Sequence, residues 1–114
     1  AHAIGNAFTA IPEGEKKSHG ERVGFGTLSL LIAEEYPNDE IEKAFNFCIK
    51  CGIPVTLEDL GIDNDNEKLK LIAKSSLTAS SWEASTYVAS EESIISLIRA
   101  TDCLGKYYKA KHTI

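Results

Sequence analysis

The side chains in this sequence that could carry chemistry fall into four sets. These are His2 with His19, Cys48 with Cys51, the acidic run Asp63, Asp65 and Glu67, and the glycines of Gly24-Phe25-Gly26. His2 precedes or opens a first helix, and His19 falls at the first helical position after a Ser18 cap. A helix N-terminus carries partial positive charge, so an imidazole there is held neutral, with a lone pair free for a metal. Two ligands are too few, because a catalytic zinc takes three from the protein and keeps one position open. Nothing in the chain obviously supplies the third. Read from spacing alone, surface or packed histidines are the alternative.

The other sets read as structure. Cys48-Ile49-Lys50-Cys51 sits in the last turn of a helix, where the dipole raises a thiol pKa, whereas redox pairs sit at helix N-termini. A structural zinc there would need two more ligands, and Cys103 and His112 are distant in sequence. The pair therefore reads as two part-buried helix thiols, with a Cys-based metal or redox protein as a rival. The run from Asp63 opens like a calcium loop but places Lys68 and Lys74 where that loop needs Gly and a bidentate Glu. Its acidic residues suit the start of a helix. A dinucleotide loop would require Gly where Ser29 stands, and Gly24-Phe25-Gly26 follows no strand.

The elements that must hold these residues are helical. Ala1 to Ala10 reads as a short helix, broken at Pro12-Glu13-Gly14. Ser18 and Glu21 form a capping box for a helix with Val23, Thr27, Leu28, Leu31 and Ile32 on one face, ending before Pro37. Gly24 and Gly26 inside it cost about 1 kcal/mol each relative to Ala, a cost that close approach of another element can offset. Asn38 is the expected N-cap of a second helix with Ile41, Ala44, Phe45, Cys48 and Ile49 facing inward, stopped by Gly52 and Pro54. Thr56 to Leu60 predicts one helical turn closed by Gly61. The polar run from Asp63 to Asn66 caps a helix carrying Leu69, Ile72, Ala73, Ser76 and Leu77. Ser90 caps the last helix, with Ile94, Leu97, Ile98, Thr101, Leu104 and Tyr108 on its stripe. Thr78 to Ala89 gives no clear pattern, and no period-two alternation is present. The expected fold class is all-α, a single domain over residues 1–114.

Composition bounds the function. The 114 residues carry 12 Lys and Arg against 17 Asp and Glu, a net charge of −5, which argues against a nucleic-acid or anionic membrane surface. The uncharged stretch from Val23 to Ala33 is too short to span a bilayer. Three cysteines do not make a disulfide scaffold and suit a reducing, cytoplasmic compartment. With no Met at position 1 and an opening on Ala1-His2-Ala3-Ile4, the chain is expected to be a piece of a longer one.

The run from His2 to Glu13, with His2-Ala3 and Asn6, and then Ser18-His19-Gly20-Glu21-Arg22-Val23-Gly24-Phe25-Gly26, resembles the glycerol dehydrogenases of the metal-dependent (iron-containing) alcohol dehydrogenase family. So do the run from Phe47 through Cys48 and Cys51 to Gly52-Ile53-Pro54-Val55-Thr56-Leu57-Glu58-Asp59-Leu60-Gly61-Ile62, and the closing Ala100-Thr101-Asp102 with Leu104-Gly105. The resemblance covers nearly the whole chain and is weakest from Thr78 to Ser90. It implies a helical bundle like the C-terminal domain of dehydroquinate synthase-like and iron-containing alcohol dehydrogenases. It implies that His2 and His19 ligate a divalent metal, Zn2+ or alternatively Fe2+, with an Asp from earlier in a longer chain as third ligand. NAD would bind through an N-terminal domain outside this chain. The implied reaction oxidises a secondary alcohol of a small polyol to a ketone, in a homo-oligomer, with these 114 residues inactive alone. The alternative is a non-catalytic helical binding module that kept the fold. Ala7 stands where many such enzymes carry Gly, and Gly5 where they carry a second His; Gly5 has no side chain to act near the metal, so a substrate preference different from glycerol is the expectation.

Overall fold

The computed structural model describes residues 7–10, 18–77 and 90–112, with His19 described by its backbone. Ala7 is helical and leads into a 3-10 turn, Phe8–Ala10. Four helices follow: α1 (His19–Ala33), α2 (Asn38–Cys51), α3 (Asn66–Leu77) and α4 (Glu91–His112). Among the described residues there is no strand, and no helix is long and apolar enough to cross a membrane. The all-α expectation holds. The rest of the expected first helix, the break after it and the unpatterned Thr78 to Ala89 segment lie outside the described residues.

The helix boundaries follow from local chemistry. Ser18 Oγ accepts from the Glu21 N–H and Glu21 Oε1 accepts from the Ser18 N–H, both at 3.2 Å, which satisfies two of the orphan donors at the start of α1. α1 ends with Glu35 in the left-handed region at φ 56°, where Tyr36 N–H reaches Leu31 O and Glu35 N–H reaches Ile32 O. That slot normally falls to Gly. α2 starts one residue earlier than expected. Pro37, with ψ 144°, is its N-cap, and Asn38 is already helical; the fixed φ of proline presets this entry. Gly52 closes α2 at φ 74°. Residues 56–61 form the expected single turn, with Leu60 N–H on Thr56 O in the i→i+4 manner, closed by Gly61 at φ 74° with Ile62 N–H on Leu57 O and Gly61 N–H on Glu58 O. Asp65 Oδ1 caps α3 by accepting from Glu67 N–H at 2.9 Å. Ser90 and Ser93 exchange reciprocal bonds of 2.7 and 3.1 Å at the start of α4.

α4 is the centre of the bundle: it packs on α1, α2 and α3, while α1 also packs on α2 and the 3-10 turn on α3. One core cluster joins Phe8, Phe25, Leu57, Leu69, Ile72 and Ile98 with their neighbours; a second joins Leu28, Ile41, Phe45, Cys48 and Val55. Phe8 meets Phe25 edge-on, with ring centres 5.4 Å apart. α1 therefore buries a band wider than one stripe. Phe25 and Ser29 are inside, whereas the expected inward Thr27 is exposed and donates to Val23 O at 2.9 Å. Leu77, expected on the inner face of α3, is also exposed. Ser29 and Thr101 hydroxyls satisfy each other at 2.8 Å across α1 and α4, as buried polar groups must.

Candidate functional site

Of the two histidines singled out by sequence, His19 is the first residue of α1, and His2 lies outside the described residues. Among the described residues no group of three or more His, Cys, Asp and Glu side chains could hold a metal ion. The acidic run is occupied in building α3: Asn64 and Asn66 accept from Arg99, and Lys68 pairs with Asp63 at 3.4 Å.

A cleft of about 300 Å³ opens beside the first turn of α1, lined by Glu21, Ile49, Ile53, Val55, Asp59 and Lys109 among others. Its walls come from the Gly52-to-Ile62 run that sequence reading singled out, and the packing explains why that run is so specific. Gly24 faces Ile53, whose Cγ2 would lie 2.6 Å from any Cβ added there. Gly105 faces the backbone of Val55 still more closely. Asp102, buried on α4, accepts the Leu57 N–H at 2.8 Å and pairs with Lys106 at 3.1 Å. The two family-like runs are thus the two halves of one interlock between α4 and the chain that follows α2.

Asp59 completes that interlock. Its Oδ1 accepts from Lys109 Nζ at 2.6 Å and its Oδ2 from Val55 N–H at 3.2 Å, while its own N–H donates to Thr56 Oγ1 at 3.0 Å. Burial, the largest influence, pushes the Asp59 carboxyl up, but the Lys109, Val55 and Thr56 contacts together outweigh it and hold the pKa below the ordinary value. A depressed folded pKa contributes stability that is fully present above the unfolded carboxyl pKa of about 3.9 and is lost as pH falls through the folded value. Asp59→Asn is expected to remove this contribution. Urea midpoints measured from pH 7 down to 3 should fall less steeply for the variant than for the parent, and equal slopes would refute the assignment. Sequence reading missed Asp59, Asp102 and Lys109 as partners because they meet only through the tertiary fold. The quoted motifs containing Asp59 and Asp102 were the available signal.

Cys48 is buried and Cys51 exposed at the end of α2. Burial, with the neighbouring Cys51 adding to it, pushes the Cys48 thiol up, the direction expected at a helix C-terminus.

No protein-family model matches the chain. Glycerol dehydrogenase of Citrobacter freundii is 38% identical to it over 97% of the chain, which spans 31% of that protein. The crystal structure of glycerol dehydrogenase from Schizosaccharomyces pombe superposes with a TM-score of 0.90 at 30% identity, covering 98% of this chain and 30% of that one. That of a probable glycerol dehydrogenase from Sinorhizobium meliloti 1021 gives 0.85 at 32% identity, over 92% of this chain and 30% of the other. The chain therefore spans under a third of the length of the relatives it matches. In sequence and in fold it is similar to the glycerol dehydrogenases over that span.

Proposed function

We propose that this chain is the metal-binding helical part of an NAD-dependent dehydrogenase that oxidises a secondary alcohol of a small polyol, with His2 and His19 as ligands to a divalent cation, zinc or iron. The observation that carries the reading is the superposition on the S. pombe glycerol dehydrogenase across 98% of the chain. Two features support it. The Ser18–Glu21 capping box makes His19 the first residue of α1, and a helix start favours the neutral, metal-ligating imidazole.

A divalent cation held there would act as a Lewis acid on the substrate hydroxyl, lowering its pKa toward neutrality. The part played by the chain's own residues is positional. α1 begins at His19, and the packing of Gly24 on Ile53 and of α4 on residues 53–57 fixes α1 against its neighbours. The third ligand and the nicotinamide site come from outside these 114 residues.

Zinc titration of the chain by calorimetry tests the reading. Two imidazoles should give weak binding. His2→Ala and His19→Ala should each lower affinity by roughly tenfold or more, since even a partner behind a metal ligand is worth 10–100-fold, while Cys48→Ser leaves it unchanged. Parent-like binding by both His variants, with loss in Cys48→Ser, would hand the metal to the cysteines. NAD-linked alcohol oxidation by the 114 residues unaided would overturn the division of labour proposed here.

A further inference from the structure

α2 ends on Cys51, and Cys48 lies one turn before it on the same helix. Residues three apart on a helix have Cβ atoms about 5–6 Å apart, whereas a disulfide needs about 3.5–4.5 Å. Inside a helix that shortfall would have to be taken from an intact hydrogen-bond ladder. Here it falls on the final turn, beside a left-handed glycine. The Gly52 N–H is shared between Cys48 O and Ile49 O, the latter at 3.2 Å, so the ladder just past Cys51 is already divided between i→i+4 and i→i+3 bonds.

The two thiols have unequal access. Cys51 is exposed, whereas Cys48 packs among Leu28, Ile41, Phe45 and Val55. Burial first, and the neighbouring Cys51 second, push the Cys48 thiol up. A low-pKa catalytic thiolate is disfavoured at this helix end, but ring closure needs none to accumulate. Its product is uncharged and suits apolar surroundings that penalise a thiolate.

We propose that Cys48 and Cys51 form a modification site for small-molecule disulfides, Cys51 the entry thiol and Cys48 the thiol that closes an intrahelical bridge. Deprotonated Cys51 attacks one sulfur of the small disulfide. A Cys51–sulfur bond forms, the small disulfide's S–S bond breaks, and the departing thiolate takes up a proton. Cys48 then loses its proton to solvent and attacks Cys51 Sγ. The Cys48–Cys51 bond forms and the second small thiol leaves, again protonated. The protein dithiol has given up two electrons and two protons, and the small disulfide has become two thiols.

The test uses the full chain carrying Cys103→Ser, which removes the other exposed thiol, treated with oxidised glutathione in native buffer and read by intact mass. The expected product has lost two hydrogens and retains no glutathione. Adding Cys51→Ser, a change at an exposed position, should abolish both the adduct and the bridge. Adding Cys48→Ala should leave glutathione fixed on Cys51. A Cys103→Ser chain that keeps glutathione as its end product, or that takes none and forms no bridge, overturns the proposal.

Discussion

Gly105→Ala is expected to destabilise the chain by about 3 kcal/mol, the upper end of what overpacking a core costs, and to move the urea midpoint down accordingly. A Cβ at this position would lie 1.8 Å from the Val55 carbonyl oxygen and 2.6 Å from its carbonyl carbon. These are backbone atoms, so no rotamer change clears them. Either α4 must withdraw or residues 53–57 must bend, and both movements pull on the bond from Leu57 N–H to Asp102. Helix propensity acts the other way, since Ala for Gly inside a helix gains up to about 1 kcal/mol; a reading of α4 in isolation would expect the variant to be more stable. Two other glycines calibrate the measurement. Gly20→Ala on α1 meets nothing within 4 Å, and Gly24→Ala meets only the Ile53 Cγ2 at 2.6 Å, a side-chain methyl that yields through a χ1 change and not through movement of the backbone. The first should be neutral or slightly stabilising and the second intermediate. A Gly105→Ala midpoint at or above the parent's would mean that α4 and the Val55 segment do not interlock.

The helices were legible in the sequence wherever a short-range device marks them. The Ser18–Glu21 box, Gly52 and Ser90 each fix a boundary through bonds spanning a few residues. Where the deciding contact is backbone geometry or a distant partner, the pattern misleads. Asn38 has the better capping side chain, yet the extended backbone of Pro37 takes the cap. Glu35 ends α1 in a conformation that its residue type does not announce. Periodicity favours Thr27 over Phe25 and Ser29 because it describes a single stripe, while α1 packs on both α2 and α4. Ser29 is buried by a hydroxyl partner 72 residues away, which no local window contains. The same holds for the site. His19 is legible at the head of α1 from its cap alone, whereas a cation shared with His2 is a tertiary proposal that spacing does not carry. The family-like runs were legible as motifs before their physical reason was: they are specific because Gly105, Asp102 and Asp59 leave little freedom to the chain between Ile53 and Ile62.

Asp102→Ala is expected to cost about 2–3 kcal/mol, the penalty for leaving a buried donor without its acceptor. Asp102 is 4% exposed and Leu57 2%, so no solvent can replace the carboxylate at the Leu57 N–H. The other contact counts for less. Lys106 is well exposed and only 3.1 Å from Oδ2, and an ammonium that can swing into water contributes at most about 1 kcal/mol through such a pair. Two variants separate these contributions. Asp102→Asn keeps an oxygen for the Leu57 N–H and sacrifices the charge, so it should cost about 1 kcal/mol; Lys106→Ala should cost less still. Amide exchange at Leu57 should quicken in Asp102→Ala and stay near the parent rate in Lys106→Ala. An Asn variant as damaged as the Ala variant would shift the weight to the ion pair. Because Asp102 and Gly105 act on the same short segment, their effects should not add. Once Gly105→Ala has pushed Val55 away, the Asp102–Leu57 bond is already strained or lost, and the double variant should cost less than the two single changes together. A fully additive double variant would instead mean that α4 is held to the cleft wall at two independent points.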